Sequence, residues 1–193
     1  MNKYFISADE LLLDSLKLGT SIIQAQFNPD FIIGVWRGGT PTAIAVQELL
    51  ALAGINCEHC AIKTSSYTGI GQQRCTIQVS GLSELVPKLS KKDKLLIIDD
   101  VFDSGRSIEA IVNELKLRCA EELPEHIKVA CPWYKPQSNQ TRRKPDFYMH
   151  ETDDWLVFPH ELIGLSLDEI SKGKGEQIAK LCAPLLNNNP AQQ

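Results

Sequence analysis

Apolar residues along this chain fall into two spacings. Phe31-Ile-Ile-Gly-Val-Trp36 and Leu95-Leu-Ile-Ile98 are short unbroken apolar runs, the pattern of strands buried on both faces, as at the centre of a parallel sheet. Before the first run and after the second, apolar positions recur at helical spacing, as at Leu11, Leu12, Leu16, Ile22 and Ile23, and again at Ile108, Ile111, Val112, Leu115 and Leu117. Ser7 and Glu10 form a capping box that opens the first helix, which ends near Phe27; Asn28-Pro29-Asp30 then turns the chain into the first strand. Thr40 as N-cap and Pro41 at the first helical position start a helix that runs through Ala53, where Gly54 stops it.

Further along, Ile55 to Thr64 reads as a strand, Ser65 to Gln73 as a mobile loop, Thr76 to Val79 as a returning strand and Ser83 to Leu89 as a short helix at most. A helix from Ser107 to about Glu122 precedes the strand Ile127 to Tyr134, whose Pro132 places its end near a sheet edge or bulge. Pro136 to Pro145 is polar loop, Phe147 to Met149 a short strand, and Asp168 to Leu181 a helix broken or bent near Gly173-Lys-Gly175. Strands alternating with helices predict an α/β fold with a doubly wound, mostly parallel sheet and right-handed crossovers. We expect a single domain over residues 1–186, with a core from about 31 to 135 and a small hood built from terminal segments, about 1–28 and 145–186. Residues 187–193 read as a frayed tail.

Composition narrows the function classes. With 193 residues and 43% apolar content the chain can bury one good core. A net charge of −4 leaves no footprint for general nucleic-acid binding, and Arg142-Arg143-Lys144 reads as a solvated loop. The acids Asp9, Glu10 and Asp14 argue against a signal peptide or membrane span, so the expectation is a cytoplasmic protein. Six cysteines show no framework spacing and are expected to be reduced. Cys57-Glu-His-Cys60 lies in a predicted strand, where residues three apart point to opposite faces, so it is a poor start to a zinc site.

Candidate chemistry gathers at the carboxyl ends of the strands, where open α/β sheets bind ligands. Arg37, Ser66, Asp99, Asp100, Asp103 and Lys135 all fall on that edge. Asp99 and Asp100 end a buried strand, and carboxylates placed there are costly to desolvate without partners. Asp103-Ser104-Gly105-Arg106-Ser107 then runs into a helix whose free N–H groups and dipole suit a phosphate. Arg37-Gly38-Gly39 offers a cation and two amides without side chains, a second anion site.

Two acids, a two-residue spacer, a third acid and a Ser-Gly turn into a helix resemble the phosphoribosyl-pyrophosphate (PRPP) motif of type I phosphoribosyltransferases. The resemblance covers about residues 31 to 160 and is nearest to the bacterial and archaeal 6-oxopurine enzymes. It implies transfer of 5-phosphoribosyl from PRPP to hypoxanthine, guanine or xanthine, giving the nucleoside 5′-monophosphate and pyrophosphate in purine salvage. By that resemblance Arg37, Gly38 and Gly39 bind pyrophosphate, with a cis peptide at Trp36–Arg37 or Arg37–Gly38. Asp99 and Asp100 hold ribose hydroxyls and Mg²⁺, while Ser104, Gly105, Arg106 and Ser107 hold the 5′-phosphate. Asp103 accepts the purine N7 proton, or else caps the next helix. Ser66 and Tyr67 open a catalytic lid, Lys135 donates to a 6-oxo group, Trp155 stacks on the base, and a carbonyl near Leu156 meets its 2-substituent. The chain departs from the pattern at Arg106, at His160 and in the longer loop from Pro136 to Lys144. A homodimer or homotetramer is implied. Two alternatives are a transferase for another base and a PRPP-sensing nucleic-acid-binding regulator of the same fold.

Overall fold

The structure is a computed structural model that describes the backbone of residues 3–67 and 76–187, and the side chains of all of these except 66, 67, 76 and 187. Its parallel strands β2 (Phe31–Trp36), β5 (Lys94–Ile98) and β7 (His126–Tyr134) lie side by side, with Phe31 opposite Leu95 and Leu95 opposite Ile127. Beyond β2 come β3 (Glu58–Tyr67), also parallel, and β4 (Thr76–Ser80), which pairs antiparallel to β3 at the edge. On its other side β7 carries β8 (Phe147–Glu151). The two-residue strand β6 (Val101–Phe102) resumes pairing to β7 after β5 stops, with Val101 opposite Trp133.

The apolar runs are unbroken because both faces are covered. Ile33, Val35, Leu95, Ile97, Val129 and Cys131 pack with Ile108, Ile111, Val112 and Leu115 of helix α3 (Arg106–Cys119). The alternate residues Ile32, Leu96, Ile98 and Ala130 face Leu18 and Ile22 of α1 (Ala8–Gln24) and Ala43, Val46 and Leu50 of α2 (Gly39–Leu52). Period-two alternation therefore survives in which helix each residue meets. Each fully buried Leu or Ile contributes about 1.5–3 kcal/mol by leaving water.

The chain divides into two compact units, residues 12–153 and residues 1–11 with 154–193. The larger contains most of α1 and all of β8, segments that the sequence reading assigns to the hood. In the smaller, β1 (Lys3–Phe5) pairs parallel with β9 (Trp155–Val157), and α4 (Leu167–Lys174) and α5 (Glu176–Asn187) pack around Val157, Leu165, Ile170, Ala179 and Cys182. Gly175, at φ +98°, separates the two helices where the sequence predicts a break. Ser166 and Glu169 form a capping box on α4, and Glu169 also takes an ion pair from Lys3 at 2.6 Å.

Three local expectations are corrected. Thr40 does not cap α2: the N-cap position is Gly38, and the Thr40 hydroxyl donates back to the Arg37 carbonyl at 2.7 Å. Pro132 is not at an edge, since β7 has neighbours on both sides. It sits at the step where β7 changes partner from β5 to β6, so its missing N–H falls in a gap in the ladder. The loop 136–144 is not merely solvated. Asn139 ties it together, donating to the Arg143 carbonyl and the Tyr134 hydroxyl and accepting from the Thr141 N–H and hydroxyl, and Arg143 donates to the Ile127 carbonyl at 3.3 Å.

Candidate functional site

Two strand-to-helix crossings meet at the carboxyl edge of β2 and β5. In the first, the Trp36–Arg37 peptide is cis and Arg37 is exposed. A Cβ added to Gly38 would overlap the Asp100 carboxylate, and one added to Gly39 would lie 2.6 Å from both the Ile98 carbonyl oxygen and the Asp99 Cα. Gly38 has ordinary helical dihedrals, φ −63° and ψ −39°. Close approach to the acids, not unusual conformation, is what requires glycine here.

In the second crossing the chain leaves β5 through Asp99 and Asp100. The Asp99 carboxylate accepts the Asp100 N–H at 3.0 Å, and the Asp100 carboxylate accepts the Val101 N–H at 2.8 Å. Desolvation, and then the charge of Asp100, push the Asp99 carboxyl well above the ordinary carboxylate range. Two carboxyl groups crowded at the end of a strand offer oxygen donors that fit a hard divalent cation which also takes phosphate oxygens from a substrate. Among the described residues no group of three or more acid, His or Cys side chains is placed to hold a metal ion by itself. A cation held here would therefore draw on these two carboxylates and on its substrate.

Ser104 and Gly105 complete the turn. Gly105 is buried at φ +75° and occupies the N-cap of α3 without a side-chain cap, so Asp103 does not cap the helix. The first-turn N–H groups of a helix have no intrahelical partner, so Arg106, whose N–H donates to the Ser104 hydroxyl at 3.5 Å, and Ser107 stand at a terminus that suits an anion. Residues the sequence did not single out shape this turn. Gln140 donates its N–H to the Ser104 carbonyl at 3.0 Å, and a Cβ on Gly105 would meet the Thr141 hydroxyl at 2.6 Å and the Phe102 ring at 2.8 Å. Only the length of the 136–144 loop hinted at such a role.

Asp103 and Lys135, 32 positions apart, are brought together. The Lys135 ammonium lies 3.9 Å from the Asp103 carboxylate, and the Lys135 N–H donates to the Phe102 carbonyl at 2.9 Å, which fixes one loop on the other. The Lys135 side chain is 14% exposed and that of Asp103 53%, so a mostly buried cation stands beside an open acid. Nearby on β7 and β8, His150 stacks on Trp133 and meets the buried Asp14 at 2.7 Å, a cluster the apolar pattern did not reveal.

In the smaller unit Trp155 is 55% exposed, with Leu156 buried beside it on β9. That open indole is a flat surface and not a core residue. The backbone of Ser66 and Tyr67 lies in β3, opposite Ile77 and Thr76. Their side chains, and the predicted loop from 68 to 73, lie outside the described residues.

Residues 10–169 match the family model of the phosphoribosyl transferase domain. The fold is similar to a purine phosphoribosyltransferase from Pyrococcus horikoshii, with 28% identity, a TM-score of 0.65, and coverage of 86% of this chain and 98% of that one. It is also similar to a hypothetical protein from Neisseria gonorrhoeae with bound ppGpp, at 21% identity and TM-score 0.70 over 89% and 95% of the two chains. A xanthine-guanine-hypoxanthine phosphoribosyltransferase from Helicobacter pylori matches at 22% identity and TM-score 0.62 over 81% and 92%. No curated protein sequence matches the chain.

Proposed function

The chain belongs to the phosphoribosyl transferase family, and from that premise we propose that it transfers 5-phosphoribosyl from PRPP to a 6-oxopurine. The observation that carries the choice of base is the pairing of Lys135 with Asp103. A purine presents N7 and its 6-substituent on one edge, with an oxygen acceptor in guanine and an amino donor in adenine. An ammonium has donors only, so it satisfies a 6-oxo group and leaves a 6-amino group unpaired. The neighbouring carboxylate is an acceptor for a proton on N7. The similar purine phosphoribosyltransferase from P. horikoshii supports a purine as the base.

The roles follow from the two crossings. Arg37 and the amides of Gly38 and Gly39 bind the pyrophosphate of PRPP. Ser104 to Ser107 bind the 5′-phosphate at the start of α3. Asp99 and Asp100 accept from the ribose hydroxyls and would hold Mg²⁺, which supplies charge neutralisation to the departing pyrophosphate. As the bond from the ribose carbon to pyrophosphate breaks, the bond to N9 of the base forms, and the N7 proton passes to Asp103. Ser66 and Tyr67 open a lid that keeps water from the electron-poor ribose carbon.

The test is nucleotide formation from PRPP with hypoxanthine, guanine, xanthine, adenine and uracil, with and without Mg²⁺. The 6-oxopurines are expected to react in the presence of Mg²⁺. Turnover of adenine or uracil alone would reject the proposed base class.

A further inference from the structure

We propose that a pocket between the outer face of α3 and the loop 139–143 is a second, regulatory site for a small phosphorylated molecule. Its regulatory half rests on the reading of Ser104 to Ser107 as a phosphate-binding turn. The cavity measures about 390 Å³, within the usual range of small-molecule sites. Glu109, Asn113 and Lys116 line one wall at helical spacing, and Gln140, Arg142 and Arg143 line the other.

Three cations against one carboxylate favour a ligand carrying at least two negative charges. Lys116 and Arg142 are exposed and, among the described residues, make no ion pair. Arg143 is half-buried and anchored through one nitrogen to the Ile127 carbonyl, which fixes its guanidinium at the pocket wall. A guanidinium matches two phosphate oxygens at once, and the lysine adds a point charge. The Asn113 and Gln140 amides can bond a polar ligand body, and Glu109 can accept from a hydroxyl. Because Asn139 already braces the loop, its backbone needs little ordering when a ligand arrives.

Coupling to the main site is direct. The same loop donates from Gln140 to the Ser104 carbonyl, and its Thr141 hydroxyl sits against Gly105. A ligand that grips Arg142 and Arg143 therefore acts on the segment that positions the turn before α3. Site-to-site coupling of this kind commonly changes affinity by about fivefold or more.

Amide NMR of the whole chain, titrated with ATP as the probe, tests this. Saturable shifts are expected at Asn113, Lys116 and Gln140 to Arg143 with ATP up to about 1 mM. In the double variant Lys116→Ala, Arg142→Ala these shifts should vanish, while thermal unfolding and the shifts induced by PRPP at Gly38 and Ser104 to Ser107 persist. Saturating ATP should change the Kd for PRPP by at least about fivefold in the wild type and not in the variant. Absent shifts, identical shifts in the variant, or an unchanged Kd overturns the proposal. If PRPP leaves Gly38 and Ser104 to Ser107 unmoved while ATP moves the pocket amides, the transferase reading fails and the second binding site stands.

Discussion

After β2 the chain reaches α2 through Arg37, Gly38 and Gly39, whereas after β5 it passes three acids and a left-handed glycine before α3 begins. The first crossing works by what it lacks. Gly38 and Gly39 have no side chains, so the backbone can lie against Asp99 and Asp100. The second works by what it carries: carboxylates held by local N–H groups, and Gly105 at φ +75° to turn the chain. One strand-to-helix frame thus sets a crossing whose glycines lack side chains against a crossing rich in carboxylates. An anion fits the first, while hydroxyls, a cation and a mobile proton fit the second.

The largest effect should come from the chemistry of the second crossing. Asp103→Asn keeps size and removes the acceptor charge, so turnover is expected to fall by about 10²- to 10⁴-fold. PRPP affinity and melting temperature should stay near wild type, because Asp103 is exposed and caps no helix. Steady-state kinetics beside calorimetric titration will separate the two. Undiminished turnover would remove Asp103 from proton transfer.

Next in size is Gly39→Ala in the first crossing. Its methyl would meet backbone atoms of Ile98 and Asp99, which cannot rotate away. Overpacking of this sort costs about 1–3 kcal/mol, and PRPP binding should weaken with it. Gly105→Ala should cost less, about 1–2 kcal/mol for a left-handed residue, since the atoms its methyl would meet, the Thr141 hydroxyl and the Phe102 ring, belong to side chains and not to the backbone. Denaturant unfolding of both variants measures the order. A greater loss at Gly105 than at Gly39 would contradict the contrast between space and conformation drawn above.

Much of this frame was legible in the sequence for a physical reason. Strands buried on both faces carry unbroken apolar runs, and the parallel order that follows places every strand-end loop on one edge. Asp99, Asp103 and Lys135 could therefore be grouped before any geometry was known. Helix α3 was legible from spacing, and the α4–α5 break from Gly175. The start of α2 was not, because Thr40 has good capping chemistry and only the packing of Gly38 and Gly39 on the acids moves the start upstream. Nor was β6, a two-residue strand defined by its partner Trp133 and Tyr134 and not by its own composition. The hold of Gln140 on Ser104 joins segments far apart in sequence and leaves no periodic trace.

The central claim is that Lys135 and Asp103 together read one edge of a 6-oxopurine. Its most direct test compares kcat/KM for hypoxanthine and adenine in wild type and in Lys135→Met, which keeps the apolar stem and deletes the donor. An unpaired buried donor costs about 1–3 kcal/mol, so the wild type should favour hypoxanthine by at least about fivefold. The variant should lose activity with hypoxanthine and narrow that ratio. A wild-type preference for adenine, or a ratio unchanged by the substitution, would contradict the claim.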